Sequence, residues 1–388
     1  TPEEAVKVIK SGDHVHLSSV ASVPQILVRA MTARGEAGEL QHVHIHHLHT
    51  EGEALYAVPE MEGIFQLDSF FVGGNVRNIT QQGFADYIPV FLSETQRLYR
   101  DGILPCNVAM IQVSTPDRHG YVSLGTSVDA TLAAVECADT VIAVVNRHVP
   151  RSFGDSFIHT SQIDLFVEDD TPLIEEHFAE PNDLECAIGR NCAALIEDGA
   201  CLQMGIGAIP NAVLSQLGSH KNLGVHTEMF ADGVLPLVES GVINGANKKI
   251  DKGKMVSTFL MGSHRVYDFI DNNPGVLMKD VGYTNDPFVI AQNPKGIAVT
   301  CVNSTALAIN SALQIDLTGQ ICADSLGTRF YSGVGGQVDF IYGASRSEGG
   351  KAIVAMPSVT NKGISKIVPV LAEGAGVVTT RAHVHWIV

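Results

Sequence analysis

Three landmarks occur twice along this chain, in the same order and at a nearly constant separation. One is the tripeptide His-Thr-Glu, which follows a β-like run each time. The others are a proline that opens a helix-like segment and a glycine- or serine-containing strand end. About 177 to 189 residues separate the members of each pair, which are His49–Glu51 with His226–Glu228, Pro24 with Pro210, and Phe71–Gly74 with Leu260–Ser263. This order predicts a duplicated unit, although turns between strands and helices also reuse glycine and proline without duplication.

The alternation of short β-like runs with helix-like segments is typical of an α/β fold. With the duplication, it predicts two similar open α/β domains with mainly parallel sheets. Residues 168–183 are acidic, contain two prolines and lack apolar periodicity, so they suit a surface linker. We therefore predict an N-terminal domain at 1–180 and a C-terminal domain at 181–388. The strand candidates are Val108–Val113, Val141–Val145, Met255–Leu260, Ala298–Val302 and Ile353–Ala355.

The chain ends in an apolar run, Ala382–Val388, that contains its single tryptophan. Domains seldom stop in the middle of a strand. We therefore expect further sequence to follow Val388 in the natural protein, so that the C-terminal domain is truncated here.

Composition excludes several classes of partner. A net charge of −17 argues against nucleic acid, while leaving room for a polyanionic ligand held by a few lysines and backbone amides. No uncharged apolar stretch reaches the roughly 18–20 residues that span a bilayer. Seven cysteines without a Cys-x-x-Cys pair favour reduced, buried thiols. We expect a cytoplasmic protein that binds neither nucleic acid nor membrane.

The two His-Thr-Glu copies each place a carboxylate after a predicted strand. Open α/β sheets carry out their chemistry at the carboxyl ends of strands, where a partly desolvated glutamate can act as nucleophile or base. Glu228, between Val225 and Phe230, is one candidate. The alternative is a glutamate that only complements the positive end of a helix. Glu51 has the same standing on local sequence alone.

A glycine-containing turn, Gly205, Ile206, Gly207 and then Pro210, joins a predicted strand to a helix. Such a turn lets the backbone approach a phosphate at a helix N-terminus. The third glycine of a dinucleotide-binding motif is replaced by Pro210. A nicotinamide or flavin site, a different phosphate-bearing ligand and a simple packing turn all remain open.

A second glycine cluster contains Gly333, Val334, Gly335, Gly336 and Gln337. Adjacent glycines can point backbone N–H groups at an anion or an oxyanion, and they can also form a mobile flap or an ordinary loop. Two downstream lysines, Lys351 and Lys362, could pair with phosphates, although surface lysines are usually only solvated.

Alternating histidines run from His42 to His49. On a strand, His42, His44 and His46 would share one face and could reach one metal ion. No carboxylate or cysteine lies nearby at a telling spacing. A half-exposed polar strand face is therefore preferred, and no metal is expected.

Several motifs together resemble the acetyl-CoA hydrolase/transferase family, in particular the 4-hydroxybutyrate CoA-transferase type of class I CoA-transferases. The resemblance runs the length of the chain, although family members usually continue beyond residue 388. The motifs that carry it are Gly224–Phe230, Ser332–Phe340, Asp316–Gln320, Ser114–Tyr121 and Phe153–His159.

The resemblance implies an active site between the two domains, with Glu228 rather than Glu51 as the nucleophile. It implies a transferase that moves CoA between acetyl-CoA and a short-chain carboxylate such as 4-hydroxybutyrate, through glutamyl anhydride and glutamyl-CoA thioester intermediates. The amide of Gly335 or Gly336 would stabilise the oxyanion. The residues predicted to contact substrate or CoA are Gly205, Ile206, Gly207, Gly333, Val334, Gln337 and Lys362.

Coenzyme A is then a substrate, no cofactor is expected, and a homo-oligomer is anticipated. The rival functions are an acyl-CoA hydrolase, an NAD-dependent oxidoreductase built on Gly205–Pro210, and a module that binds CoA without catalysis.

Overall fold

The computed structural model describes residues 1–301 and 312–388, and these residues form a mixed α/β structure with mainly parallel sheets. The α/β prediction is therefore confirmed. The strands up to residue 168 are β1 (His14–Leu17), β2 (Val43–His47), β3 (Phe65–Ser69), β4 (Ala85–Tyr87), β5 (Val108–Val113), β6 (Tyr121–Ser123), β7 (Thr140–Val145), β8 (Phe153–Gly154), β9 (Phe157–His159) and β10 (Leu165–Glu168). The helices of this half are α1 (Pro2–Ala5), α2 (Gln25–Glu36), α3 (Arg77–Gln81), α4 (Thr95–Arg100) and α5 (Thr131–Cys137).

The second half also consists of short strands and helices. Its strands are β11 (Cys201–Met204), β12 (Gly224–Val225), β13 (Met229–Phe230), β14 (Met255–Ser257), β15 (Phe259–Leu260), β16 (Val276–Met278), β17 (Gly296–Cys301), β18 (Gln314–Asp316), β19 (Ile321–Cys322), β20 (Ser325–Leu326), β21 (Arg329–Phe330), β22 (Lys351–Ala355), β23 (Ile367–Val368) and β24 (Trp386–Ile387). Its helices are α6 (Asp183–Ala193), α7 (Ala208–Ser215), α8 (Leu235–Glu239), α9 (His264–Ile270), α10 (Val281–Thr284), α11 (Pro287–Ile290) and α12 (Gln337–Arg346).

The sheet of the first half is entirely parallel and has seven strands in the order β10-β7-β5-β1-β2-β3-β4. Its interior strand β5 is buried along its whole length. Such continuous burial is typical of a parallel strand covered on both faces.

The second half repeats this strand order. Its five-stranded parallel sheet runs β12-β11-β17-β22-β24. A parallel bridge between His226 and Val256 continues it into the sheet β14-β16-β8. The resulting sequence β24-β22-β17-β11-β12-β14-β16 matches β10-β7-β5-β1-β2-β3-β4 position by position. This correspondence is the arrangement that a duplicated unit predicts.

The two halves are joined by more than the chain connection. The last strand of the second sheet is β8, which comes from the first half and pairs Phe153 with Leu277 and Gly154 with Met278. One hydrophobic cluster also contains buried residues of both halves, including Val113 and Val128 with Leu202 and Phe259. The halves therefore share a core.

Residues 169–182 contain neither helix nor strand, which suits the linker composition. The domain boundary at residue 180 stays a prediction. One strand candidate was wrong in part, because residues 255–260 form two short strands, β14 and β15, that pair with different neighbours. Another candidate, Ala298–Val302, corresponds to β17, but its last residue lies outside the described residues.

Among the described residues, no helix combines the length and apolarity needed to cross a bilayer. The thiols of Cys106, Cys192, Cys201 and Cys322 are buried and free, as expected, whereas Cys137 is exposed.

The β8–β16 pairing generates a stability prediction. Gly154 has a φ of +107°, and a Cβ there would meet the backbone of Met278, including its nitrogen at 2.9 Å. We expect Gly154→Ala to destabilise the protein by more than the roughly 1–2 kcal/mol that a positive φ alone costs. Thermal unfolding measures the effect. Gly12→Ala is the matched control, since Gly12 has a φ of +85° and nothing within 4 Å of its would-be Cβ. Equal losses in the two variants would contradict this account.

Candidate active site

Glu228 lies between β12 and β13, in the segment that follows the carboxyl end of β12. Its backbone is fixed by the neighbouring segment: the Glu228 carbonyl accepts hydrogen bonds from the amide of Thr258 at 3.1 Å and the hydroxyl of Ser257 at 2.9 Å. The residue is fully buried. One carboxylate oxygen, Oε2, accepts a hydrogen bond from the side-chain amide of Asn285 at 3.1 Å. The Glu228 carboxylate is therefore buried and fixed in position by hydrogen bonds.

Gly336 packs directly against this carboxylate. A Cβ at Gly336 would overlap both Glu228 Oε2 and Asn285 Nδ2. Gly336 is also the N-cap of α12, so the carboxylate lies at the positive end of a ten-residue helix. Unpaired N–H groups and the helix dipole favour negative charge at such a position. The absence of a side chain at Gly336 thus allows the carboxylate to approach the helix N-terminus.

A second buried carboxylate, that of Asp339, lies behind Asn285. Asn285 Nδ2 is 3.4 Å from Asp339 Oδ2, so one side-chain amide contacts both Glu228 and Asp339. Asp339 also accepts hydrogen bonds from the hydroxyl of Ser93 at 2.8 Å and from its amide at 3.1 Å. Burial raises the pKa of Asp339 to about 7, against the lowering effect of the hydrogen bonds from Ser93 and Asn285. Ser93 belongs to the first half, so this network crosses between the halves.

The predicted glycine loop also packs on the first half. The Ser332 carbonyl accepts from the amide of Val72 at 3.1 Å, and the Gly335 carbonyl accepts from the amide of Leu92 at 3.0 Å. The Val334 amide donates to the Tyr87 hydroxyl at 2.8 Å. The loop and Glu228 therefore lie where the two halves meet.

Gly333 and Gly335 have specific structural reasons to be glycine. A Cβ on Gly333 would lie 2.7 Å from the ring of Phe71, and Gly335 has a φ of +56°. Since the Val334 amide is bonded to Tyr87, it is not the donor for an oxyanion in this conformation. The proposed role of the Gly335 or Gly336 amide stays a prediction.

The turn from Gly205 to Gly207 follows β11, the strand next to β12, and β12 is the strand that precedes Glu228. It connects β11 to α7, and Gly207, with a φ of +109°, is the N-cap of α7. Met204, just before the turn, donates its amide to the hydroxyl of Thr227 at 3.2 Å. Thr227 immediately precedes Glu228. The turn therefore lies beside the chain segment that carries Glu228, and Ile206 is buried.

The other two predicted contact residues have different surroundings. Gln337 is buried at the start of α12 and its side-chain amide is 3.4 Å from the hydroxyl of Thr379. Lys362 is exposed in a turn closed by a hydrogen bond between the amide of Gly363 and the carbonyl of Thr360. Their assignments to CoA binding stay predictions.

The two His-Thr-Glu copies differ in their surroundings. In the first copy, Glu51 Oε1 lies 2.6 Å from Nε2 of His49, and the Glu51 side chain is partly exposed. In the second, His226 Nε2 is instead 2.8 Å from the Thr284 carbonyl, and burial lowers the pKa of His226 to about 4. Only the second copy leaves its glutamate facing Asn285 and Gly336.

Sequence reasoning missed Asn285, Asp339 and Ser93 as members of the site. Asp339 lies inside the glycine motif Ser332–Phe340, which was a usable signal for its importance. Asn285 and Ser93 lie in stretches without a distinctive motif, and they reach the site only through the packing of α10 and the segment before α4.

Comparison with known protein families matches both parts of the chain. Residues 1–175 match the acetyl-CoA hydrolase/transferase N-terminal domain, and residues 262–388 match the acetyl-CoA hydrolase/transferase C-terminal domain. The chain belongs to the acetyl-CoA hydrolase/transferase family. The family predicted from the sequence motifs is thereby confirmed.

Individual members of the family are similar over the whole chain. The chain is 47% identical to the succinyl-CoA:acetate/propanoyl-CoA:succinate CoA transferase of Fasciola hepatica, covering 100% of this chain and 79% of that protein. It is 46% identical to the 4-hydroxybutyrate coenzyme A transferase of Clostridium kluyveri, covering 100% of this chain and 88% of that protein. The crystal structure of RipA from Yersinia pestis superposes with a TM-score of 0.92 at 33% identity, covering 100% of this chain and 88% of that one. These relatives confirm the prediction of an enzyme of the CoA-transferase type.

The buried Asp339 generates a prediction about pH. Because its pKa is raised on folding, its contribution to stability is fully present below the unfolded pKa of about 3.9 and is lost as the pH rises through about 7. An asparagine can keep the same three contacts, since the Ser93 hydroxyl can turn from donor to acceptor. As the pH rises from 4 to 8, we expect the free energy of unfolding of Asp339→Asn to increase relative to that of the wild type. The increase should be roughly 4 kcal/mol at most.

Urea unfolding at several pH values measures this difference. Asp86→Asn, which removes an exposed carboxylate, controls for the loss of one negative charge. A stability difference between Asp339→Asn and the wild type that stays constant with pH would contradict the ionisation of a buried Asp339.

Proposed function

We propose that this protein transfers CoA between acetyl-CoA and a short-chain carboxylate such as 4-hydroxybutyrate, with Glu228 as the covalent nucleophile. The observation that carries the proposal is the fully buried Glu228 carboxylate, held by Asn285 at the N-terminus of α12 against Gly336. The names of the relatives, which include a 4-hydroxybutyrate coenzyme A transferase, support the substrate class.

The reaction begins when a Glu228 carboxylate oxygen attacks the thioester carbonyl of acetyl-CoA. The carbon–sulfur bond breaks, CoA leaves as its thiolate, and an acetyl–glutamyl anhydride remains. The thiolate then attacks the glutamyl carbonyl of the anhydride and releases acetate, which leaves a glutamyl-CoA thioester. Two acyl exchanges of this kind replace one difficult exchange between free reactants.

The second half of the cycle runs in the opposite direction. The acceptor carboxylate attacks the glutamyl-CoA thioester, giving a new anhydride and CoA thiolate. The thiolate attacks the acyl carbonyl of the acceptor, forms the new acyl-CoA and returns Glu228 as a carboxylate. No water is consumed, so the thioester bond is conserved.

The surroundings of Glu228 suit these steps. Asn285 orients one carboxylate oxygen of Glu228. The carboxylate also lies at the N-terminus of α12, where negative charge is favoured. The amide of Gly335 or Gly336 would stabilise the tetrahedral oxyanion. Burial limits the access of water to the anhydride and the thioester, which favours transfer over hydrolysis.

We propose that CoA is bound by the contact residues predicted from the sequence. The turn of Gly205, Ile206 and Gly207 at the start of α7 suits an anionic or polar part of the substrate. Gly333, Val334 and Gln337 would also contact the substrate, and the exposed Lys362 would pair with a phosphate. We further propose that the protein acts in the cytoplasm as a homo-oligomer.

An acceptor panel tests the activity. The enzyme is given acetyl-CoA with no acceptor, with 4-hydroxybutyrate, or with other C2–C5 carboxylates, while acyl-CoA products and free CoA are measured by chromatography. We expect new acyl-CoA to form only with an acceptor, and little free CoA without one. Free CoA released equally fast with and without acceptor would indicate an acyl-CoA hydrolase and would sink the transferase proposal.

Replacing the nucleophile tests its role. Glu228→Gln keeps the volume and can still contact Asn285, but it lacks the attacking carboxylate. We expect transferase activity to fall by several powers of ten, each worth about 1.4 kcal/mol, while CoA binding measured by calorimetry persists.

Glu51→Gln is the matched control because it alters the other His-Thr-Glu copy. It should retain most of its activity, since Glu51 is partnered by His49 and does not take part in the covalent step. A Glu51→Gln variant as inactive as Glu228→Gln, with both folded, would show that the two copies have been assigned the wrong way round.

A further inference from the structure

Four potential metal ligands meet on one face of the first sheet, and we name them the imidazole cluster: His14, His44, His46 and Asp68. They lie on three adjacent parallel strands. His14 of β1 pairs in register with His44 of β2, and His46 of β2 pairs with Asp68 of β3. Since side chains alternate across a strand, His44 and His46 point to the same face. The sheet itself therefore gathers the four side chains.

The donor atoms of the cluster converge closely. Nδ1 of His14 is 3.0 Å from Nε2 of His46, which is 3.4 Å from Oδ2 of Asp68. That carboxylate oxygen is 2.7 Å from Nδ1 of His44. One donor atom from each of the four residues lies within 4.8 Å of all the others.

These separations can be compared with those in a zinc site. Tetrahedral ligands about 2.0–2.1 Å from zinc are separated from one another by about 3.3 Å. The three distances above, 2.7, 3.0 and 3.4 Å, bracket that value. Imidazole nitrogens with one carboxylate also form a donor set that suits zinc and neighbouring divalent ions.

At this point the structure supplies one observation that the sequence analysis lacked. Metal was not expected there because no carboxylate was found at a telling spacing, and Asp68 supplies one from the adjacent strand. His42, which the alternating pattern grouped with His44 and His46, lies before β2 with a φ of +53° and is not in the cluster.

We propose that the imidazole cluster is a binding site for a divalent transition-metal ion of the zinc type. Four protein ligands would fill a tetrahedral shell, which is the pattern of a structural site. The ion would join β1, β2 and β3 side by side. A metal ion can reach the cluster from solvent at His44, because the His44 side chain is 35% exposed. The His46 side chain, in contrast, is only 1% exposed. The proposal is independent of the function assigned to Glu228.

Metal uptake by the purified full chain tests the site. The protein is stripped with a chelator, dialysed, and titrated with Zn²⁺ against a chromophoric competitor and separately with Co²⁺. We expect one tight Zn²⁺ per chain, visible Co²⁺ absorption of the tetrahedral kind, and a higher melting temperature with metal. X-ray absorption of the zinc-loaded wild type should report imidazole nitrogens at about 2.0–2.1 Å.

Two ligand variants and one control locate the ion. His44→Gln and Asp68→Asn should each weaken Zn²⁺ binding by at least the roughly 10–100-fold that even the loss of an outer-shell partner costs. His42→Gln, which removes a nearby exposed histidine outside the cluster, should bind like the wild type. Circular dichroism in chelator checks that the variants fold.

Several results would overturn the proposal. They are the absence of tight uptake by the wild type, undiminished binding in both ligand variants, or a spectrum of the loaded wild type without imidazole ligands. The last measurement uses only the wild type, so it decides the matter even if a variant fails to fold.

Discussion

The burial of one carboxylate, that of Glu228, is the constraint on which the rest of the site depends. A charged group taken out of water needs compensation from hydrogen bonds or dipoles. Here the compensation includes the side-chain amide of Asn285 and the N-terminus of α12, which Gly336 allows to approach. Asn285 in turn faces Asp339, which Ser93 of the first half holds through two hydrogen bonds. The carboxylate thus depends on both halves of the chain.

The duplicated fold explains how one tripeptide can have two different environments. Both His-Thr-Glu copies follow the corresponding strand of sheets with the same strand order. Tertiary neighbours then decide which groups each glutamate contacts. Glu51 is paired with its own His49, whereas Glu228 is turned toward groups from α10 and α12. The pairing of β8 with β16 and the shared core hold the halves in the arrangement that this second environment requires.

Local sequence patterns were sufficient to predict the fold class, the repeated strand order and the glycine loop. Alternating β and α segments predicted the α/β class, and the repeated landmarks predicted the repeated strand order. The motif around Gly333–Gln337 predicted a loop that the structure places beside Glu228. Asn285, Ser93 and Asp68 were missed because each reaches its partners through tertiary packing rather than spacing. His42 was misplaced because its positive φ interrupts the alternation just before β2.

The central claim is that Glu228 becomes covalently attached to CoA, and trapping that thioester tests it most directly. The enzyme is incubated with acetyl-CoA alone, reduced with tritiated borohydride and digested, and the labelled peptide is sequenced by mass spectrometry. Thioesters are far more readily reduced than carboxylates, so we expect the label on Glu228 as its alcohol, with parallel loss of activity. Label on Glu51, or full activity without label after acetyl-CoA has been turned over to products, would contradict the account.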